Sequence, residues 1–211
     1  MIQATLVTDG SSDVVLVRVL EWLLFQMTST EIEIRWADLR SLRSTPKTLS
    51  ERLRVATQLF PCRILFVHRD AEKQDPELRY QEIQAANTTG LGHICIVPVR
   101  MQETWLLHNE AALREAADRP SGTEPLNLPL PSQWERLPDP KGTLHQALRN
   151  ANGASGRRAR RFNPAKATHR LAELITDWSP IRPLPAFQRL EADVRVALES
   201  LGALESIVSE Q

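Results

Sequence analysis

The 211-residue chain is 42% hydrophobic and 25% charged, enough apolar material for one medium core, or a core with an appendage. Its 26 acidic and 26 basic residues give zero net charge, which excludes a global field recruiting nucleic acid or an anionic membrane and leaves only a local patch for such a task. The longest apolar run, Val14 to Phe25, is broken by Arg18 and Glu21 and falls short of the ~20 residues a membrane span needs; with no secretory pattern at the start, the expectation is a cytoplasmic protein without membrane contact.

Gln3 to Thr8 reads as a strand that runs into the acidic turn Asp9-Gly10-Ser11-Ser12-Asp13 and then into a hydrophobic helix over Ser12 to Phe25. Ser11 or Ser12 would cap that helix, with Asp13 in its first turn. Glu31 to Trp36 is the second strand candidate. Thr45-Pro46 reads as an N-cap followed by proline at the first helical position, ahead of Leu49, Leu53, Ala56 and Phe60 at helical spacing. Cys62 to His68, a helix over Pro76 to Asn87, the Gly90-Leu-Gly92 turn and a strand over Ile94 to Val99 complete the first half. Cys62 and Cys95 sit in apolar stretches with no zinc-spaced partner and are expected to be buried thiols. Strands alternating with helices predict an α/β fold with a mostly parallel four-stranded sheet flanked by helices.

Glu103 precedes a helical stretch over Thr104 to Ala117. Six of the 14 prolines then crowd residues 120–140, the mark of a linker or an ordered irregular segment. Helical signals return at Thr143 to Asn150, Ala165 to Asp177 and Pro185 to Leu201. The expected organisation is a sheet domain over 1–119, a proline-rich connection over 120–142 and a helical C-terminal region over 143–211 packed on the sheet domain.

Functional groups of open α/β sheets gather beyond the carboxyl ends of the strands. Asp9 follows the first strand, Asp70 and Glu72 the third, and Glu103 the fourth. If the chain stays extended, residues 70 and 72 project to one side and can share an ion. Magnesium keeps several waters and commonly needs one or two carboxylates, with phosphate oxygens completing its shell. Each acid alone is equally at home in a turn or at a helix start; their shared placement is what argues for chemistry.

Three stretches resemble the Toprim fold of topoisomerases, primases and nucleases, particularly small bacterial Toprim-like proteins related to the overcoming-lysogenisation-defect nucleases. They are Leu6-Val-Thr-Asp9-Gly10-Ser-Ser-Asp13, Ile64-Leu-Phe-Val-His-Arg-Asp70-Ala-Glu72 and Val97-Pro-Val-Arg-Met-Gln-Glu103-Thr-Trp105-Leu-Leu. Asp139-Pro-Lys141 and the segment from Ser179 to Phe187, which holds Arg182, are similar to later parts of those proteins. The resemblance implies a magnesium site, able to take manganese, with Asp9, Asp70, Glu72 and Glu103 as ligands and catalytic acids. It also implies phosphodiester hydrolysis, and an ATPase partner in phage or mobile-element defence. The family's first motif usually carries Glu and its second Asp-x-Asp, where this chain has Asp9 and Asp70-x-Glu72. Both substitutions keep charge and alter reach, which bears on catalysis more than on metal binding.

Arg157, Arg158, Arg160 and Arg161 fall within five positions behind Gly153-Ala-Ser-Gly156. Clustered guanidiniums suit phosphate, so the expected partner is nucleic acid, DNA ahead of RNA, with a solvated loop or an acidic protein partner as the other reading. Lys141 and Arg182 join them only through the resemblance, as cations near the metal edge. His68, at the end of the third strand, is expected to pack there or to stand behind the acids. The rival to a nuclease is a noncatalytic Toprim-like module that docks a protein partner.

Overall fold

A computed structural model describes residues 1–204; the last seven residues of the expected C-terminal region, 205–211, lie outside the described residues. Four parallel strands, β1 (Ile2–Val7), β2 (Ile32–Trp36), β3 (Ile64–His68) and β4 (His93–Ile96), form one sheet in the order β2-β1-β3-β4. Leu6 pairs with Trp36 on one side and with Phe66 on the other, and Val67 pairs with Cys95. The sequence therefore read the strands and their direction correctly.

Alternation along the strands divides the interior in two. Ala4, Leu6, Ile64, Phe66, Ile94 and Ile96 point into one core. Helix α1 (Leu16–Phe25) covers that face, and α4 (Glu110–Ala116), α5 (Pro140–Asn152), α7 (Pro164–Leu174) and α8 (Pro185–Ser200) add to the same core. Val7, Leu65, Val67, Cys95 and Val97 point the other way, toward α2 (Leu49–Leu59) and α3 (Pro76–Ala86). Phe187 of α8 lies between Trp22 and Trp105, with ring centroids at 6.4 and 5.6 Å, so these aromatics tie the C-terminal helices to the sheet core. Trp105 anchors its turn in the core, as expected.

Several boundaries moved, each for a local reason. The segment after β1 begins as a 3₁₀ helix, Ser11–Val15, before α1. Helix α2 starts at Leu49 instead of Pro46, because Thr48 and Glu51 form a reciprocal capping box. The amide of Glu51 donates to Thr48 Oγ1 at 3.2 Å, and the amide of Thr48 donates to Glu51 Oε2 at 3.2 Å. The helix expected over Thr104 to Ala117 is two pieces, a 3₁₀ turn at Gln102–Leu106 and α4, with Asn109 accepting from the Ala112 amide at 2.9 Å to restart it. The proline-rich stretch is ordered and irregular: Leu126 and Trp134 are buried, and Trp134 Nε1 donates to the Pro129 carbonyl at 3.1 Å. Both cysteines are free thiols, Cys95 buried and Cys62 half-buried.

Candidate functional site

The chain leaves β1 in one direction to form β2, then returns across β1 to place β3 on its other side. Right-handed crossovers running in opposite directions put α1 on one face and α2 on the other. Their divergence opens a crevice at the carboxyl ends of β1 and β3, the switch point where open α/β sheets bind ligands. The turns after Val7 and His68 supply its charged groups, and Gln102 and Glu103 close it from beyond β4.

The best-ordered part of this crevice is a chain of three ionisable groups, Asp13 and His68 buried and Asp70 half-buried. Asp13 reaches back to the Gly10 amide at 2.8 Å through Oδ2. Its Oδ1 accepts from Ser12 Oγ at 2.9 Å and Gln102 Nε2 at 2.9 Å. His68 is buried between Asp13 and Asp70, with Nδ1 3.5 Å from Asp13 Oδ2 and Nε2 3.1 Å from Asp70 Oδ1. At 3.5 Å the first contact is an ion pair more than a hydrogen bond, so charge and not alignment holds that side of the ring. Burial opposes charging the imidazole, but the two carboxylates outweigh it and push its pKa up to about 9. Burial likewise works to raise Asp13, yet His68, Gly10 and Ser12 hold it below its ordinary 3.8. The imidazole is thus favoured in its charged form between the two acids.

Asp70 also receives the Gln102 amide at 3.1 Å, again on Oδ1. That bond brings the Gln102–Glu103 turn against β3. Glu103 is 3% exposed, and its Oε2 is buried with no hydrogen-bond partner. Burial raises its pKa, Asp70 and Asp13 add to the rise, and its own amide and Lys141 oppose it. Lys141 Nζ, from the first turn of α5, stands 4.0 Å from Glu103 Oε1. A buried carboxylate with an empty lone-pair side beside two further acids calls for a cation or a proton.

Asp9 and Glu72 are placed differently. Asp9 is 40% exposed and lies between two guanidiniums, with Oδ1 2.6 Å from Arg52 Nη2 and Oδ2 2.7 Å from Arg69 Nε. Arg69 continues to Glu82 at 2.9 Å, and Glu82 to Arg79 at 2.8 Å. The extended chain that would align Asp70 with Glu72 is absent, because Glu72 adopts φ 55°. Its amide donates to the Arg100 carbonyl at 2.8 Å, and its side chain is exposed. The structure thus links Asp13 and Asp70 through His68 and Gln102 with Glu103 close enough to feel their charge, and turns Asp9 to two arginines and Glu72 to solvent.

Among the described residues, no group of three or more His, Cys, Asp or Glu side chains is placed to hold a metal ion. The donor set does not fit a closed protein cage. Asp70 and Glu103 are oxygen donors of the kind magnesium takes, one or two of which suffice beside its waters, but Glu103 Oε2 is itself buried away from solvent.

Of the basic candidates, Lys141 alone touches this crevice. Arg182 lies over the Trp22 ring, 5.1 Å from its centroid, and pairs with Glu191 at 3.2 Å. The four arginines form a short exposed helix, α6 (Gly156–Arg161), with no buried residue, in place of the solvated loop of the alternative reading. Asp13, expected only to favour the first turn of its helix, and Gln102, which had no expected role, both belong to this site, and His68 does more than pack at its strand end. The Gly10-x-x-Asp13 spacing, half of a capping box, was the available signal for Asp13; nothing in the sequence marked Gln102.

These features define an α/β protein with a parallel 2-1-3-4 sheet and a charged crevice at its switch point. No family model matches the chain, and neither a curated protein nor a solved structure does. Among the described residues, no helix is long and apolar enough to cross a membrane.

Proposed function

We propose that the protein is a Toprim-like, magnesium-dependent phosphodiesterase acting on nucleic acid, with manganese able to substitute. The observation that carries this reading is the buried Glu103 carboxylate beside Asp70 at the sheet's switch point, its Oε2 without a hydrogen-bond partner and its Oε1 4.0 Å from the Lys141 ammonium. Asp70 and Glu103 would hold the ion, which supplies charge neutralisation for in-line displacement at phosphorus. His68 and the Gln102 amide fix the Asp70 rotamer from behind, and Asp13 keeps His68 charged and in place. Lys141 is placed to meet a phosphate oxygen.

Asp9 would act as acid or base only on leaving Arg52 or Arg69, so its main part here is to hold both guanidiniums at the crevice rim. Glu72 stands at the periphery. The ATPase partner and the defence setting remain proposals carried by the resemblance alone.

The engagement of Asp9 by two arginines favours one second reading, a noncatalytic module that keeps the fold as scaffold. Calorimetric titration of magnesium or manganese, alongside nicking of supercoiled plasmid and cleavage of a labelled oligonucleotide, separates the two. Metal uptake and cleavage by the wild type, both abolished in Asp70→Asn and Glu103→Gln, are expected. A folded wild-type protein that takes up neither ion and cuts neither substrate would leave the module.

A further inference from the structure

The residues of α6 have no structural reason to stay together. Arg157, Arg158, Arg160 and Arg161 bury nothing and make no ion pair among the described residues. Three of their pairings lie three or four residues apart, where like charges on a helix repel. Gly153 and Gly156, both at φ 58°, hinge this helix onto α5.

Arg158 and Arg161 share one side of α6 and face a cleft of about 1100 Å³. Its other wall carries Lys166, His169 and Arg170 of α7, and Arg119 stands at its rim. Five Lys or Arg side chains line it against two acids, Asp118 and Glu173, in a chain whose net charge is zero. Arg170 pairs with Asp118, and Arg119 pairs with Glu124 at 2.9 Å. Arg158, Arg161 and Lys166 have no such partner among the described residues. Arg157 and Arg160 do not line the cleft.

We propose that this cleft between α6 and α7 is an anchoring site for the phosphodiester backbone of a polynucleotide strand, separate from the acid crevice. Cations on both walls suit a single strand, whose phosphates can be met from two sides, better than a duplex lying against one face. Guanidiniums without protein partners give a strand multiple hydrogen bonds and release its counterions. Helix α5 connects the two sites: Lys141 sits in its first turn beside Glu103, and Asn152 at its end lines the cleft. Its 13 residues span about 20 Å at 1.5 Å per residue, the length of about six nucleotides when a strand is stacked as in a duplex at about 3.4 Å per step.

This assignment rests on the polynucleotide reading of the crevice, and binding without metal tests it independently of cleavage. Fluorescence anisotropy of a labelled mixed-sequence 20-mer DNA strand, in EDTA across a salt series, would compare wild type with Arg158→Ala/Arg161→Ala and Arg157→Ala/Arg160→Ala. Circular dichroism and a urea midpoint verify folding. Losing two phosphate contacts should flatten the slope of log K on log salt by about 1.4 and weaken binding about 25-fold at 0.1 M. The outward-facing pair, which removes the same charge, should cost much less.

Equal losses from both pairs, or no loss from the cleft-facing pair, would overturn the cleft. Tighter binding of a polyglutamate of equal charge would overturn it in favour of an acidic protein partner. A protein that cuts DNA yet loses no affinity in Arg158→Ala/Arg161→Ala disproves the anchor alone. One that shows the predicted binding loss without ever cutting disproves the nuclease reading alone.

Discussion

The acid crevice and the basic cleft lie at opposite ends of α5 and treat charge in opposite ways. In the crevice, His68 is buried between Asp13 and Asp70, and Gln102 bonds to both carboxylates through its side chain and its amide. In the cleft, Arg158, Arg161 and Lys166 stand toward solvent with no acid partner among the described residues. Buried charges must be paired, so the crevice has one geometry and its residues support one another. Exposed arginines need no such order and can follow whatever anion arrives. A rigid site suits chemistry, where small displacements matter, and an adaptable one suits holding a polymer.

The comparison breaks most sharply at His68. His68→Ala leaves two carboxylates facing each other without their cation, and should cost about 3–5 kcal/mol in urea unfolding, the range for removing one member of a buried ion pair. A change within error would mean that the Asp13–His68–Asp70 chain is not held as described. The same triad sets a pH profile. His68 is raised from 6.5 to about 9, so its contribution is full below pH 6.5 and is lost as pH climbs toward 9. Asp13 is held below 3.8, so its contribution is present above that value and is lost as pH falls further. The triad's own contribution is therefore full between about pH 4 and 6.5, but burial lowers His108 to about 4, so the whole protein should be most stable near pH 6.5 and lose stability on both sides of it. Unfolding free energy measured from pH 3 to 9 would show it, and a rise from pH 7 to 9 would contradict the charged ring.

Glu103 sharpens the contrast within the crevice itself. Its carboxylate is buried near Asp70 and Asp13 without a partner for Oε2, so Glu103→Gln should stabilise the metal-free protein by about 1 kcal/mol while removing metal uptake. Destabilisation by the same change would show that the carboxylate is satisfied in the folded protein. The smallest effect belongs to the cleft: Arg158→Ala/Arg161→Ala should leave the urea midpoint unchanged, because α6 buries nothing. A clear shift would give those arginines a structural role.

The four strands were legible because β-branched runs bounded by turns have few other uses, and their spacing by helices required a parallel sheet. Asp70 and Glu103 were legible as strand-end acids. Asp9 and Glu72 show the limit of that rule: it places a residue at an edge but does not say what its side chain meets there. Arg52, on a helix 43 positions away, meets Asp9, and a left-handed turn redirects Glu72. Asp13 and Gln102 lie 89 positions apart, a pairing no local pattern announces.

Sequence by itself determined the α/β class, the parallel sheet, the edge where the acids collect and the run of arginines, since each follows from periodicity or from charges close in the chain. Only the tertiary structure decided that His68 bridges Asp13 and Asp70, that arginines take up Asp9, and that α7 supplies the wall facing Arg158 and Arg161. The reason is physical: propensity and alternation act over a few residues, whereas burial and charge pairing depend on which distant segments the packed core brings into contact.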